Sequence, residues 1–200
     1  MIDLTPTTMR TSAVAAAVLD DQLDAPTPMG EPVRVVLHHV LGLATAFRDA
    51  ARKQTGATTS TPPSPERGPL PDGWRSEIDQ RLAELADSWR CEDAWGGMTM
   101  AGGVQLPGEV GGVIALNEVL LHGWDVARAT GQPYRPTESE CKAVLPIVTP
   151  ESSAPDGSGR DGLFGPVVAV PEDAAPFDRV LGLAGRDPGW SDARLVPPPA

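Results

Sequence analysis

The run at 108–129, GEVGGVIALNEVLLHGWDVARA, constrains the fold more than any other part of the chain. At helical spacing its apolar residues Val113, Ile114, Leu116, Val119, Leu120, Leu121 and Val126 lie nearly all the way round the axis. A helix apolar on every side must be surrounded, so it belongs inside a bundle. Gly131 and Pro133 supply its stop signals. Three other segments can surround it. The first spans roughly 6–23, with Val14, Val18, Leu19 and Leu23 on one stripe. The second spans roughly 32–53, with Val36, Val40, Leu43 and Phe47 on one face and Pro32 in its first turn. The third spans roughly 74–91, with Ile78, Leu82, Leu85 and Trp89 in register. The expected class is all-α: an up-and-down four-helix bundle.

The connections are also legible. APTPMGEP is a turn-rich break. Residues 55–73, rich in Pro, Ser, Thr and Gly, read as a mobile surface loop, and WGGMTMAGGVQLP as an irregular connection. Thr137 and Glu140 form a T-x-x-E capping box that opens a shorter helix. A Gly/Pro-rich stretch follows, then the extended piece FGPVVAV and a last short helix within DAAPFDRVLGLAGRDPGW. The expected division is a bundle over 1–150 and a C-terminal extension over 151–200, packed on the bundle.

Composition narrows the function. The 200 residues carry a net charge of −11 with no clustered basic patch, which argues against nucleic-acid binding. No apolar run approaches ~18 residues and no leader segment is evident, so neither a membrane span nor export is expected. Cys91 and Cys141 are isolated and read as reduced thiols of a cytoplasmic protein. Only Lys53 and Lys142 are lysines; with abundant Ala, Gly, Pro and Val, this fits a GC-rich bacterial genome.

The central run carries three groups that do not belong in an apolar helix: Glu118, His122 and Asp125. With Glu118 at zero on the helical wheel, His122 falls at about +40° and Asp125 at about −20°. All three share one stripe, and side chains at i, i+4 can reach one ion. A buried carboxylate needs compensation. Spacing alone leaves two arrangements open: a metal site, or an ion-pair cluster in which His122 and an arginine hold Glu118 and Asp125. The other histidines are His38 and His39. Glu31, Arg34, Thr45, Asp49 and Arg52 mark the polar face of the second helix, with His38 in its middle. His39 sits at the margin of the apolar face beside Leu43, placed to look inward. One histidine from one helix and a Glu/His pair from another make a His₂Glu set, a catalytic zinc arrangement with an open position.

Trp89 and Trp124 read as packing residues, and Trp95 as a candidate pocket wall. No Ser-His-Asp or Cys-His set competes for a catalytic role. GEVGG lacks the Lys-Ser/Thr of a phosphate loop.

Three stretches together carry a resemblance: LDAPTPMGEPVRVVLHHVLG, LNEVLLHGWDVARATGQP and FGPVVAVPEDAAPFDRVLGLAGRDPGW. In this order, over nearly the whole chain, they resemble the actinobacterial metal-binding proteins related to mycothiol-dependent maleylpyruvate isomerase, within the DinB-like superfamily. The resemblance implies His39, Glu118 and His122 as metal ligands, with Asp125 orienting His122 or a metal-bound water. It implies a divalent metal, zinc first with nickel or iron as alternatives, and a mycothiol-like thiol as co-substrate. The implied activity is S-transfer to, or isomerisation of, a small electrophile. A hydrolase on the same ligands and a non-catalytic bundle with a structural or vestigial site are the other classes. Arg34, Arg48, Arg128 and Arg135 are candidate donors to the sugar or carboxylate of such a thiol. The partners expected are small molecules, in a monomer or homodimer. Two positions depart from the family: Met29 stands where a cysteine is usual, and a tryptophan usual near Pro32 is missing, so contacts from that loop are expected to differ. The isomerase also carries a further, sterol-carrier-like C-terminal domain, whereas this sequence ends at residue 200, so its thiol and substrate pocket are expected to differ. Maleylpyruvate isomerisation itself is therefore not implied.

Overall fold

The computed structural model describes residues 1–63, 66–149 and 164–192. In chain order its elements are α1 (Thr5–Ala17), α2 (Val33–Ala51), α3 (Ala57–Ser60), α4 (Trp74–Trp89), α5 (Glu92–Trp95), β1 (Met98–Ala101), β2 (Val104–Pro107), α6 (Gly108–Ala129), α7 (Glu138–Val148) and α8 (Pro176–Leu183). The four long helices make the bundle, and its main interfaces run α1–α4–α2–α6 and back to α1. The chain is thus all-α apart from one small hairpin among the described residues.

The apolar-all-round run forms α6 with the bounds its sequence predicts. Leu116, Leu120 and Ala115 have no exposed surface. Opposite them, Val36, Val40, Leu43 and Phe47 of α2 and Ile78, Leu82 and Leu85 of α4 close one continuous core. Leucines buried this deeply contribute roughly 2–5 kcal/mol each, judged by truncation to alanine.

The first helix ends at Ala17, earlier than its apolar stripe predicts. Val18 turns extended, and the Arg75 guanidinium donates to the Val18 carbonyl and to Asp20, each at 2.7 Å. The Gln22 side chain then accepts from the Leu19 backbone N–H over a short 3₁₀ turn, Asp20–Gln22. A tertiary clamp has overridden local helix preference there.

Two connections are more ordered than their composition suggests. WGGMTMAGGVQLP contains the antiparallel pair β1–β2, joined by Gly102 and Gly103. Both glycines have positive φ, 57° and 82°, the signature of a type I′ turn. The 55–73 segment contains α3 and then folds back on α2. Pro63 packs where a Gly42 side chain would stand, Arg67 forms a two-pronged ion pair with Glu31, and the Pro69 carbonyl meets His38. Residues 64 and 65 lie outside the described set.

The capping box forms at α7: Thr137 Oγ1 accepts from the Glu140 N–H, and Glu140 accepts from the Thr137 N–H. Helix α8 adds Val180 and Leu181, and Ala184 just beyond its end, to the same core as the bundle. The boundary expected at 150, and most of the Gly/Pro-rich stretch after it, lie outside the described residues. No helix among the described residues is long and apolar enough to cross a membrane. Both cysteines are free thiols, Cys91 exposed and Cys141 buried.

Candidate metal centre

Three residues from two helices converge. One ligand-type atom from each of His39 on α2 and Glu118 and His122 on α6 lies within 4.8 Å of the other two. The inward placement of His39 follows from its wheel position beside Leu43. The rings of His39 and His122 meet edge to face. His122 is buried, while the Glu118 side chain keeps 22% of its surface accessible, so the cluster has an open side.

Each nitrogen of His122 faces a carboxylate. Nδ1 lies 3.2 Å from Asp125 Oδ2 and Nε2 lies 3.2 Å from Glu118 Oε2. Asp125 is completely buried. It is compensated by a residue that its own helix could not reveal. Arg186, just beyond α8, donates from Nε to Oδ1 at 2.9 Å and from Nη2 to Oδ2 at 2.8 Å. The same guanidinium donates to the Ala184 carbonyl and touches the Met29 sulfur at 3.4 Å. Arg186 is 7% exposed. Its only sequence signal is general: two acids set in the apolar helix α6 require a cation, and the chain offers many arginines.

The electrostatics follow from these contacts. Burial favours neutral Asp125 and neutral Glu118, but Arg186 and His122 respectively outweigh it, and both carboxyls stay below the ordinary range. Burial likewise opposes charge on His122, but its hydrogen bonds to Asp125 and Glu118 prevail and hold it up at about 9. His39 goes the other way. Burial and the neighbouring His122 push it down to about 4, against the pull of Glu118 and the Pro63 backbone.

The donor set fits a divalent cation. His39 Nδ1 is buried without a hydrogen-bond partner, in a ring held neutral. A neutral imidazole is the form that ligates a metal, and a divalent cation held by His39, Glu118 and His122 would find one lone-pair donor on each. Asp125 accepting from His122 Nδ1–H would leave Nε2 as the ligating nitrogen, the usual carboxylate–histidine–metal relay.

The other residues singled out from sequence go elsewhere. His38 is half-buried rather than free in solvent, with Nε2 3.1 Å from the Pro69 carbonyl. Trp95 packs against the Trp89 ring and its indole N–H donates to the Trp89 carbonyl, so its surface serves the core. Trp124 meets Phe177 of α8 edge-on. Arg34 pairs with Asp24, Arg48 with Glu84 and Asp49, and Arg128 donates to the Trp190 and Pro188 carbonyls. Arg135 lines a separate cleft of about 410 Å³ with Tyr134, Cys141 and Phe177.

The fold and the cluster together define a helical bundle with a His₂Glu group of metal-ligand type. The family model for the mycothiol maleylpyruvate isomerase N-terminal domain matches residues 4–127, and the chain belongs to that family. Uncharacterized proteins from two strains of Mycobacterium tuberculosis, CDC 1551 and H37Rv, are each 29% identical over 184 residues, covering 88% of this chain and 91% of theirs. Among solved structures, mycothiol-dependent maleylpyruvate isomerase superposes with a TM-score of 0.55 at 18% identity, over 94% of this chain and 79% of that one. A histidine-to-alanine mutant of that enzyme gives 0.54 at 16% identity. His39, Glu118 and His122 all fall inside the family-matched segment; Arg186 falls outside it.

Proposed function

We propose that His39, Glu118 and His122 hold one divalent cation, zinc in the first instance, and that the protein uses a low-molecular-weight thiol of the mycothiol type to act on a small electrophile by S-transfer or isomerisation. The observation that carries this reading is the convergence of one ligand-type atom each from His39, Glu118 and His122. Membership of the family supports the thiol.

The residues have distinct tasks. His39 and Glu118 approach from separate helices and fix the ion between α2 and α6. Asp125 orients His122 through Nδ1. A cation held there would supply Lewis acidity, lowering the pKa of a coordinated thiol. Charge balance supports an anionic ligand. Without metal, the negative Glu118 and Asp125 are matched by the positive His122 and Arg186. A divalent cation that displaces the His122 proton leaves the cluster one positive charge in excess, which a thiolate neutralises. The accessible edge of Glu118 marks the side from which a small molecule reaches the cluster.

A second reading has its own observation. Apart from His39 Nδ1, the ion-pair network of Glu118, His122, Asp125 and Arg186 satisfies itself, as a structural cluster should. Cobalt substitution separates the readings. Stoichiometric cobalt uptake, followed by a near-ultraviolet thiolate-to-cobalt band on adding mycothiol or a simpler cysteinyl thiol, is the expected result. Cobalt uptake without that band at millimolar thiol favours a hydrolase on the same ligands. No stoichiometric uptake leaves a structural cluster.

A further inference from the structure

Arg186 stands outside the segment that carries the family match, yet it makes the tightest contacts to the cluster. Its Nε and Nη2 embrace both oxygens of Asp125 at 2.9 and 2.8 Å. This side-on, two-pronged geometry fixes the plane of the carboxylate, which a single point charge cannot do. Asp125 in turn addresses His122 Nδ1 through Oδ2, the oxygen bound by Nη2. The guanidinium is itself held: Nη1 donates to the Ala184 carbonyl, and Nη2 touches Met29 in the loop before α2. The stretch carrying it is anchored independently, because Arg128 of α6 donates to the Pro188 and Trp190 carbonyls. Val180 and Leu181 of the preceding helix have essentially no exposed surface.

We infer that Arg186 is a positioning residue for the metal centre: through Asp125 it sets the orientation of His122, so the stretch after α8 is part of the site. This rests on the proposed reading of His39, Glu118 and His122 as ligands.

A merely structural role is the competing account, since any buried Asp–Arg pair also affects stability. The two separate because a buried ion pair can be replaced by apolar residues of similar volume with little loss of stability. Full-length wild type, Arg186→Lys, Arg186→Met and the double variant Asp125→Leu/Arg186→Met are compared by thermal melting and by zinc titration against a chromogenic chelator. The expected result is that the double variant melts near wild type while its zinc affinity stays about 10–100-fold weaker, the usual effect of losing a ligand's outer partner. Arg186→Lys keeps the charge but not the two-pronged contact, and it should also lose affinity. In zinc-loaded wild type, the His122 Nδ1–H should give a slowly exchanging downfield proton resonance, which the double variant lacks. If wild type binds zinc and the double variant binds it equally well, Arg186 does not position the site and the ligand assignment stands. If wild type binds no zinc, the ligand assignment fails and the inference with it.

Discussion

The rings of His39 and His122 meet at 83°, with centroids 5.0 Å apart, and they belong to different helices. Burial opposes charge on both rings, and their partners decide the outcome. His122 has two carboxylates hydrogen-bonded to it and rises to about 9; His39 lacks such a bond among the described residues and falls to about 4. One ring is a free base at neutral pH. The other keeps a proton that a cation bound there would have to displace.

Adjacent histidines on α2 should therefore behave differently. His38→Ala should leave zinc content unchanged, because its ring faces away from the cluster and meets the Pro69 carbonyl of the fold-back loop. His39→Ala should weaken zinc binding by more than the roughly 10–100-fold of an outer partner. Metal analysis of protein purified without a nickel column, before and after dialysis against zinc, checks this. Equal losses from both variants would place the ligand wrongly.

Glu140 predicts how stability responds to acid. It is buried and accepts from Arg10 through both oxygens at 3.1 Å, and from Thr7. Burial raises its pKa, but Arg10 and Thr7 outweigh burial, so the folded value lies below the ordinary 4.5. Protonation then favours the unfolded chain. The stabilisation is complete above the unfolded value and fades as pH falls through the folded one. Glu140→Gln should cost about 1.5–3 kcal/mol at pH 7. The gap from wild type in urea melts should narrow below about pH 4. A gap that widens in acid would reverse the sign of this argument.

Gly42 leaves room for Pro63. A Cβ there would stand 2.8 Å from Pro63 Cβ, well inside the roughly 3.5–4.0 Å of carbon contacts. Gly42→Ala gains about 1 kcal/mol of helix propensity but must push away a loop packed one turn from His39. We expect lower melting temperature and faster tryptic cleavage at Arg67. A more stable protein with unchanged cleavage would mean that the loop yields freely.

The β1–β2 turn gives a position-specific contrast. Gly102→Asn should be tolerated, since asparagine suits the first position of a type I′ turn and the new Cβ makes only ordinary contact with Pro62. Gly103→Ala should destabilise by roughly 1–2 kcal/mol or more, because it combines positive φ with a Cβ 2.6 Å from the Ser60 carbonyl. Paired thermal melts decide; a larger loss at position 102 would contradict the turn type.

How legible the protein is depends on the range of the interaction. Helix α6 could be read because one local rule, apolar residues on every side, admits only burial. The inward face of His39 could be read because Leu43 and Val40 mark the same stripe. The early end of α1 could not, since it is imposed by Arg75 from another helix. Nor could the hairpin be read as such: its two glycines were visible, but the flanking MTMA and VQLP are too short and weakly alternating to declare strands. Arg186 is the instructive case. Acids set in an apolar helix demand a cation, and nothing local says which arginine answers.

That answer spans 61 residues of chain. The cluster is written in three separate places, at 39, at 118–125 and at 186. Loop closure over such lengths is entropically tolerable, each doubling costing only about 0.6 kcal/mol. Order in time is a different matter. A ribosome delivers His39 first and Arg186 long after Asp125, at about 5–20 residues per second. For those seconds Asp125, the most buried carboxylate of α6, has His122 of its own helix but not the guanidinium that grips both its oxygens. The two-pronged contact therefore cannot form until the stretch after α8 has been made.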